Sequence, residues 1–346
     1  MNVERWILLV GCFFLSFPNL AQDYQRPYKK VLLLMGSRFE FTAIARDSTS
    51  ALAGIEAGIK EVRRIEKLIS SWDRQSQTSK VNDAAGLAPV VVDKELYNLV
   101  KRSKKISELT QGAFDISYAS VDKIWKFDGS VQSLPAKEDI AQSVSGINYQ
   151  NVILDPDNVT IFLKEKGMKI GFGAIGKGYA ANKAKAIMQN HGIENGVVNA
   201  GGDLITWGQR ANNKSWRIGI ADPKDKTKMI SWLDVSNMAV VTSGNYEKYV
   251  IIDGQRYSHI IDPRTGMPAK GLKSVTIICP DAELADALAT SVFVLGKENG
   301  LHLIDQLKGI EGLLITDSDE MITTKNLQLN YYKNQKADYD FKLRRE

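Results

Sequence analysis

The spacing of apolar residues along the chain predicts long helices separated by short, half-buried strands. Over 49–68, Ile55, Ile59, Val62 and Ile65 recur every three or four residues, so they share one face of a helix. A helix with one apolar face buries it against a sheet or another helix. The same spacing predicts helices over 94–109 and 177–191, one that carries 285–290, and one over 301–307.

Alternation of apolar and polar residues predicts the strands. A single strand is expected over 30–45, where Gly36 would mark a bulge or a close approach by something flat. Because the strands alternate instead of running continuously apolar, we expect an α+β fold with mostly antiparallel sheets and flanking helices. A polar surface loop is expected over 127–139. Further strands are predicted over 151–154, 160–164, 204–207, 216–221, 230–235, 239–242, 249–253, 274–278 and 312–316.

The composition is that of an ordinary globular protein, long enough for one large or two medium domains. The chain has 346 residues and a formal net charge of +5, and its lysines and arginines are scattered. A nucleic-acid-binding protein would concentrate positive charge on one face. We therefore expect no nucleic-acid partner, and no segment after the N-terminal one approaches a membrane span.

The first 21 residues are typical of an export signal. An apolar run follows Arg5, Pro18 interrupts it, and Ala21 offers a small residue for cleavage. Cys12 comes too early for a typical lipoprotein site, so simple secretion is favoured over lipid attachment. After cleavage only Cys279 remains, and we expect it to be a buried small hydrophobe. The expected organisation is a signal peptide over 1–21, one domain over 22–330, and a charged, loosely ordered tail over 331–346.

A glycine-rich stretch suggests a phosphate-binding turn. The run from Gly171 to Gly176 fits G-x-G-x-x-G, and with Lys177 it nearly fits a P-loop, except that Gly178 stands where a Ser or Thr would bind magnesium. Glycines at a helix start let backbone N–H groups reach a phosphate. A Rossmann fold would need an acidic residue after the next strand, where Asn199 stands. This mismatch makes a Rossmann fold unfavourable, and a nicotinamide oxidoreductase is kept only as an alternative.

A second candidate feature lies in the C-terminal third. Asp286 and Thr290 are four residues apart, so on a helix they project from one face. Together they offer half of a magnesium site, which expects a phosphorylated partner. The alternative is a solvated or capped helix face with no ligand. Upstream, His259 stands beside a turn containing Pro263 and Gly266, where it acts on a proton or only braces the turn.

These pieces resemble the FAD:protein FMN transferase family, often called ApbE, over most of the chain after the signal. The resemblance rests on seven blocks in order along the sequence. They are 35–36, 112–115, 173–179, 199–203, 242–244, 258–266 and 285–290.

The resemblance implies a fold related to the T-fold and an exported, magnesium-dependent enzyme of the periplasm, either free or attached to the inner membrane. Members of this family bind FAD as a substrate, split its pyrophosphate and attach the FMN half to a threonine of an acceptor flavoprotein, with release of AMP. Mg²⁺ would be the cofactor. FAD and the acceptor flavoprotein would be the partners.

The resemblance also implies roles for particular residues. Asp286, Thr290 and the main-chain carbonyl of Ala174 would be metal ligands. His259 would lie beside the reacting phosphate and accept or orient the proton of the attacking hydroxyl. The FAD site would be lined by Met35, Trp72, Ala113, Phe114, Asp115, Gly171, Lys177 and Ile260.

Three positions depart from the family pattern. Gly171 stands where the family usually has an Asp that contacts the flavin nucleotide, Asn182 stands where an Asp is common, and Trp72 stands where Tyr is frequent. Trp72 still offers a ring for stacking. Hydrolysis of FAD to FMN and AMP in the same site, and a non-catalytic exported flavin-binding protein, remain alternatives.

Overall fold

The computed structural model describes residues 25–121, 124–127, 133–225, 227–331 and 340–343. Its helices are α1 (Ser48–Ile69), α2 (Gln77–Asp83), α3 (Lys94–Leu109), α4 (Lys137–Ser143), α5 (Gly176–Asn190) and α6 (Ala282–Asp305). Its strands are β1 (Arg26–Leu34), β2 (Ser37–Ala45), β3 (Val90–Val91), β4 (Val152–Asp155), β5 (Thr160–Leu163), β6 (Asn195–Ala200), β7 (Asp203–Trp207), β8 (Trp216–Ala221), β9 (Met229–Val235), β10 (Ala239–Gly244), β11 (Tyr249–Ile252), β12 (Gln255–Ser258), β13 (Leu272–Cys279), β14 (Glu311–Thr316), β15 (Glu320–Thr323) and β16 (Asp340–Leu343).

The described strands form one large sheet and three small ones. The large sheet has nine strands in the order β1-β2-β6-β7-β10-β13-β14-β15-β16. Each neighbouring pair is antiparallel except β15 and β16, which are parallel. The sequence prediction of an α+β fold with mostly antiparallel sheets is confirmed.

The main core lies between one face of the large sheet and the helices α1, α5 and α6. Alternation along β2 sends Phe39 and Phe41 into this core, where they meet the apolar face of α1 at Ile55 and Ile59. All four side chains are buried. This layer brings the N-terminus of α5 against the first turns of α6.

The opposite face of the sheet carries a smaller core under the β8–β9 hairpin. A third cluster lies under the β11–β12 hairpin, where Trp125 stacks on Tyr257 with ring centroids 5.8 Å apart. The second core contains Ile220, Ile230, Leu233, Val240, Ile278 and Leu313.

Two predicted elements, over 30–45 and 127–139, are wrong. The stretch over 30–45 is a hairpin of β1 and β2, with Met35 and Gly36 at φ of 50° and 68° in its turn. A two-residue hairpin turn with both φ values positive matches the twist of its strands, so the glycine marks a turn and not a bulge. The predicted loop over 127–139 contains the start of α4 at Lys137, while residues 128–132 lie outside the described ones.

The C-terminal part also differs from the prediction. The two helices expected around 285–290 and over 301–307 are one element, α6, bent at Gly296, where φ is 76°. Residues 340–343 of the expected loose tail form β16 and pair with β15. Residues 332–339 and 344–346 of that tail lie outside the described residues, as do residues 1–24 with the predicted signal peptide.

Cys279 is buried at the end of β13, as predicted, and its thiol donates to the carbonyl oxygen of Asp281 at 3.1 Å. Of the helices that the structure describes, none has the length and apolar content needed to cross a bilayer.

Candidate active site

The candidate site is built where the first turn of α5 meets the first turns of α6. Gly178 approaches α6 so closely that a Cβ there would stand 2.0 Å from the carbonyl oxygen of Ala282. At this position a side chain cannot be accommodated without moving one helix. The close approach lets the Gly178 N–H donate to Asp286 Oδ2 at 2.9 Å.

This packing excludes both nucleotide-fold alternatives. A P-loop needs a Ser or Thr at position 178, and its side chain would collide with α6. A Rossmann unit needs a helix that connects two parallel strands of one sheet. Here α5 connects β5, in a separate three-stranded sheet, to β6 in the large antiparallel sheet.

A clamp between α5 and α6 sets the position of Asp286. Asp281 caps α6 by accepting the Leu284 N–H at 3.0 Å. The Asn182 side-chain amide donates to Asp281 Oδ1 at 2.9 Å, and its amide oxygen accepts the Ala282 N–H at 3.0 Å. The Asn182 side chain thus donates one hydrogen bond and accepts another, whereas an ionised carboxylate could only accept. The departure from the family Asp at this position has a structural reason.

Two buried carboxylates and an ammonium group meet at this junction. Asp203, at the start of β7, is 2% exposed and Asp286 is 3% exposed, and Lys177 Nζ forms an ion pair with Asp203 Oδ2. Burial raises the pKa of Asp203 to about 7, with the charge of Asp286 adding to the effect and Lys177 opposing it. Burial likewise raises the pKa of Asp286, again against Lys177.

Lys177 stays charged in this environment. Burial by itself lowers the pKa of Lys177, but the negative charges of Asp203 and Asp286 outweigh that effect and the net pKa is raised. The ammonium group is therefore fixed beside the two carboxylates at neutral pH.

Thr290 lies one turn beyond Asp286 on α6, as their spacing predicts. Its Oγ1 is 3.3 Å from Ser243 Oγ at the end of β10, so the two hydroxyls share a hydrogen bond. Because Asp286 is buried and Thr290 faces the end of β10, the solvated helix face is wrong, whereas the capping role is present, since Asp286 accepts the Gly178 N–H in the first turn of α5.

The charges and donor atoms of this junction fit a divalent cation. When Asp203 and Asp286 are both ionised, their two charges face the single charge of Lys177, and an uncompensated negative charge in a buried place is costly. Mg²⁺ prefers carboxylate, hydroxyl and carbonyl oxygens, which Asp286, Thr290 and the main chain of Ala174 offer. Among the residues that the structure describes, no three His, Cys, Asp or Glu side chains form a metal cluster.

His259 lies at the exposed rim of the site, after β12. Its backbone N–H donates to the Lys248 carbonyl oxygen at 3.0 Å, and its Nδ1 is 3.1 Å from the same oxygen. Burial of the ring nitrogen lowers the pKa of His259, and the charges of Glu247 and Lys177 act on it with opposite sign.

The turn after His259 has the geometry that Pro263 and Gly266 predict. The Gly266 N–H donates to the Asp262 carbonyl oxygen at 2.9 Å, and the backbone there has a φ of 71°. Arg264 folds back onto the Asp262 carboxylate at 2.8 Å and reaches the 112–115 block, since a Cβ on Gly112 would stand 3.7 Å from Arg264 Cγ. Two blocks that are far apart in sequence are therefore adjacent.

The 112–115 block is buried and its acidic residue is already engaged. Ala113, Phe114 and Asp115 are each at most 5% exposed. The Asp115 carboxylate accepts the Ser117 N–H at 2.7 Å and the Tyr149 N–H at 3.0 Å. Burial raises the pKa of Asp115 and these bonds oppose the shift. The Asp115 side chain thus holds its own loop, and main-chain groups of the block are what remain for a ligand.

The other residues expected at an FAD site differ in how far they are exposed. Met35 lies near the start of α5, with its Cε 3.6 Å from where a Cβ on Gly176 would stand, and its N–H donates to Glu66 Oε1 at 3.0 Å. Trp72 is 80% exposed on the loop after α1, with its ring offered to solvent. By contrast, Ile260 and Gly171 are buried.

Sequence reasoning missed three residues at this site. Asp203 lies within one of the seven blocks, but its ion pair with Lys177 spans 26 positions and has no periodic signal. Ser243 belongs to the 242–244 block, but its contact with Thr290 joins β10 to α6 and has no local signal in the sequence. Tyr118 carries no motif at all, yet it lies against the glycine-rich stretch.

Comparisons with known proteins agree with this architecture. The model of the ApbE family matches residues 35–314. A protein from Klebsiella pneumoniae named FAD:protein FMN transferase is 31% identical over 308 residues, which cover 88% of this chain and 94% of that protein. One of the same name from Escherichia coli K12 is 30% identical over 265 residues, which cover 75% of each chain.

Solved structures show the same fold. The ApbE protein from Thermotoga maritima matches with a TM-score of 0.77 and 31% identity, covering 89% of this chain and 97% of that one. The flavinyl transferase ApbE from Pseudomonas stutzeri matches with a TM-score of 0.75 and 25% identity, covering 87% and 94%. With a family match over residues 35–314 and a 31% identical relative covered over 94% of its length, the chain belongs to the ApbE family.

Proposed function

We propose that this protein transfers FMN from FAD to a threonine hydroxyl of an acceptor flavoprotein, with Mg²⁺ as cofactor and AMP as the released product. The observation that carries the proposal is the junction of α5 and α6, where the buried Asp286 and Asp203 meet the half-buried Lys177 in a member of the ApbE family. Phosphoryl transfer asks a protein mainly for positioning and for neutralising charge on phosphate oxygens. The junction supplies both.

Asp286, Thr290 and the carbonyl of Ala174 are the proposed metal ligands. When bound, Mg²⁺ would offset negative charge on the pyrophosphate oxygens and on the departing AMP. The Gly178 N–H holds Asp286 Oδ2 at 2.9 Å, which fixes the orientation of the carboxylate before any ion binds. This support favours one cation position, since a ligand with a fixed rotamer loses less entropy on binding.

Lys177 supplies a second positive charge at the start of α5. Its raised pKa keeps it protonated, and the positive end of the α5 helix dipole adds to its attraction for anions. Asp203 keeps the ammonium group in place until a substrate phosphate competes for it.

His259 is the proposed general base. Because the Lys248 carbonyl oxygen can only accept, the neutral ring carries its proton on Nδ1 and leaves the Nε2 lone pair free to accept one. In the reaction, the threonine oxygen bonds to the phosphorus of the FMN half and the pyrophosphate P–O bond breaks. AMP leaves with the bonding electrons, and Nε2 takes the hydroxyl proton.

The acceptor threonine lies on another protein, and the exposed position of His259 is consistent with access from outside. Export is also part of the proposal, because residues 1–21 carry the features of a signal peptide. N-terminal sequencing of the protein recovered from the periplasm should begin after residue 21. An intact N-terminus in the cytoplasm would contradict export.

The proposal is tested by AMP release and by the mass of the acceptor. With FAD, Mg²⁺ and an acceptor domain, the wild-type protein should release AMP and add FMN to one threonine. Asp286→Asn should lower both by a factor of at least about 100, because the metal loses its charged ligand. Asp281→Asn is the matched control, since Asn caps α6 as well as Asp does. Equal activity of Asp286→Asn and wild type, or AMP release that survives chelation of the metal, would refute the proposal.

A further inference from the structure

A short 3₁₀ turn, Tyr118–Ser120, is fastened along the glycine-rich stretch before α5. The Gly171 N–H donates to the Ile116 carbonyl oxygen at 3.0 Å. Ser120 Oγ accepts the Lys169 N–H at 2.8 Å and donates to the Lys169 carbonyl oxygen at 3.1 Å. Hydrogen bonds on both sides of Tyr118 therefore fix its backbone beside residues 169–173.

The ring of Tyr118 fills the space that side chains at 171 and 173 would use. A Cβ on Gly171 would stand 3.3 Å from Tyr118 Cε1 and 2.9 Å from the Cβ of Ala119. A Cβ on Gly173 would stand 2.3 Å from the Tyr118 hydroxyl oxygen. The two glycines and the tyrosine thus form one packed unit, in which Tyr118 takes the volume that an acidic side chain at 171 would occupy.

The two ends of Tyr118 lie in different surroundings. The residue as a whole is 37% exposed, whereas its hydroxyl lies against the backbone of Gly173. Burial raises the pKa of Tyr118, the Gly173 N–H opposes the shift by donating to the phenol oxygen, and the charge of Asp286 adds to it. The hydroxyl lies against Gly173, the residue before the proposed metal ligand Ala174.

The geometry leaves this hydroxyl as a donor. Its oxygen already accepts the Gly173 N–H, so its proton can be given to a ligand at the start of α5. Phosphate oxygens are the acceptors that Lys177 and a helix N-terminus attract to the same place. A carboxylate at 171 would repel those oxygens unless a cation lay between them, whereas a phenol binds them directly.

We propose that Tyr118 is a substrate-binding residue of this protein, and that its hydroxyl donates a hydrogen bond to a pyrophosphate oxygen of FAD where Gly171 offers no side chain. This inference rests on the proposed function, because it takes FAD as the ligand. It adds a residue that distinguishes this chain from relatives with an acidic residue at position 171.

Tyr118→Phe tests the inference, since it removes the hydroxyl and keeps the ring that packs on Gly171. Binding of FAD and of riboflavin is measured by flavin fluorescence in EDTA, so that turnover does not compete. The variant should bind FAD about tenfold more weakly, the loss expected for one hydrogen bond to a charged group, and riboflavin as well as wild type. Tyr97→Phe, which removes a hydroxyl from a core tyrosine of α3, should bind both ligands like wild type.

The outcomes separate this inference from the proposed function. Equal FAD affinity of Tyr118→Phe and wild type would overturn the role of Tyr118, and so would an equal loss for FAD and riboflavin, which would mean a contact with the flavin or a disturbed fold. The melting temperature of each variant identifies the second case. These binding assays need no acceptor, so absence of FMN transfer by the wild type would count against the proposed function alone.

Discussion

His259 and Asp286 illustrate how far single residues can be assigned from the sequence. The spacing of Asp286 and Thr290 along one helix predicts their common face, and the structure confirms that placement. The orientation of His259 depends on the Lys248 carbonyl, which lies across a hairpin, so no local pattern could predict it. Asp203 escaped assignment for the same reason, because its partner Lys177 belongs to another element.

The proposed base role makes a prediction about His259→Ala. Transfer should fall by a factor of about 100 or more, in the range usual for loss of a general base. Because the pKa of His259 is lowered, its acid limb in the wild-type kcat/KM, measured at saturating Mg²⁺, should lie below the ordinary histidine value of about 6.5. His259→Ala should lose this acid limb.

The control is His191→Ala, at the exposed C-terminal end of α5, which should keep both rate and pH profile. If His259 only braces its turn, the variant will lose rate but retain the acid limb of the wild type. That result would remove His259 from the chemistry.

At the level of elements, periodicity was sufficient for most helices and strands. Apolar spacing placed α1 and α3 almost to the residue, because each buries one continuous face. It failed at Met35 and Gly36, where positive φ values turn an apparent single strand into a hairpin. It also failed at Gly296, because the bend there does not end α6. Such features depend on packing between elements, which local spacing does not encode.

The junction of α5 and α6 predicts the effect of an apparently conservative change. Asn182→Asp should lower the free energy of unfolding by about 0.5–1 kcal/mol, because the lost donor is replaced by a carboxylate that faces the exposed Asp281. Chemical denaturation measures this cost.

The exchange Asn182→Asp with Asp281→Asn should recover most of the lost stability, since one amide and one carboxylate again face each other. Asp281→Asn by itself should be nearly neutral. If the double variant is as unstable as the sum of its parts, the two side chains do not form the clamp described here.

Across the whole molecule, the sheet assembles the site from segments that are remote in sequence. The resemblance to a known family identified these segments and their order, whereas composition and charge indicated only a globular protein without a nucleic-acid partner. The antiparallel order explains why a G-x-G-x-x-G match failed as a Rossmann signal. The glycines match the motif, but here they leave room for the Tyr118 side chain and for the close packing of α6.

Stability of the whole protein should depend on metal and pH together. Asp203 has a folded pKa of about 7, above its unfolded value of about 3.9, so folding takes up a proton between these values. Without metal, stability should therefore fall as pH rises from about 4 to about 7. A cation competes with protons for the carboxylates, so Mg²⁺ should raise the stability of the folded protein more at pH 8 than at pH 5.

Melting curves with Mg²⁺ and with EDTA check this prediction. At a hundredfold excess of Mg²⁺ over its Kd, the melting temperature at pH 8 should rise by about 5 °C. Asp286→Asn should show little rise, while Asp281→Asn should respond like wild type. A shift of equal size at both pH values would mean that the ion binds away from these buried carboxylates.

The most direct test of the account is a crystal structure with FAD and Mn²⁺, located by its anomalous scattering. The account predicts one metal peak within about 2.2 Å of an Asp286 carboxylate oxygen and of Thr290 Oγ1, in contact with the pyrophosphate of FAD. Binding of FAD with the metal elsewhere, or with the pyrophosphate far from the α5–α6 junction, would contradict it.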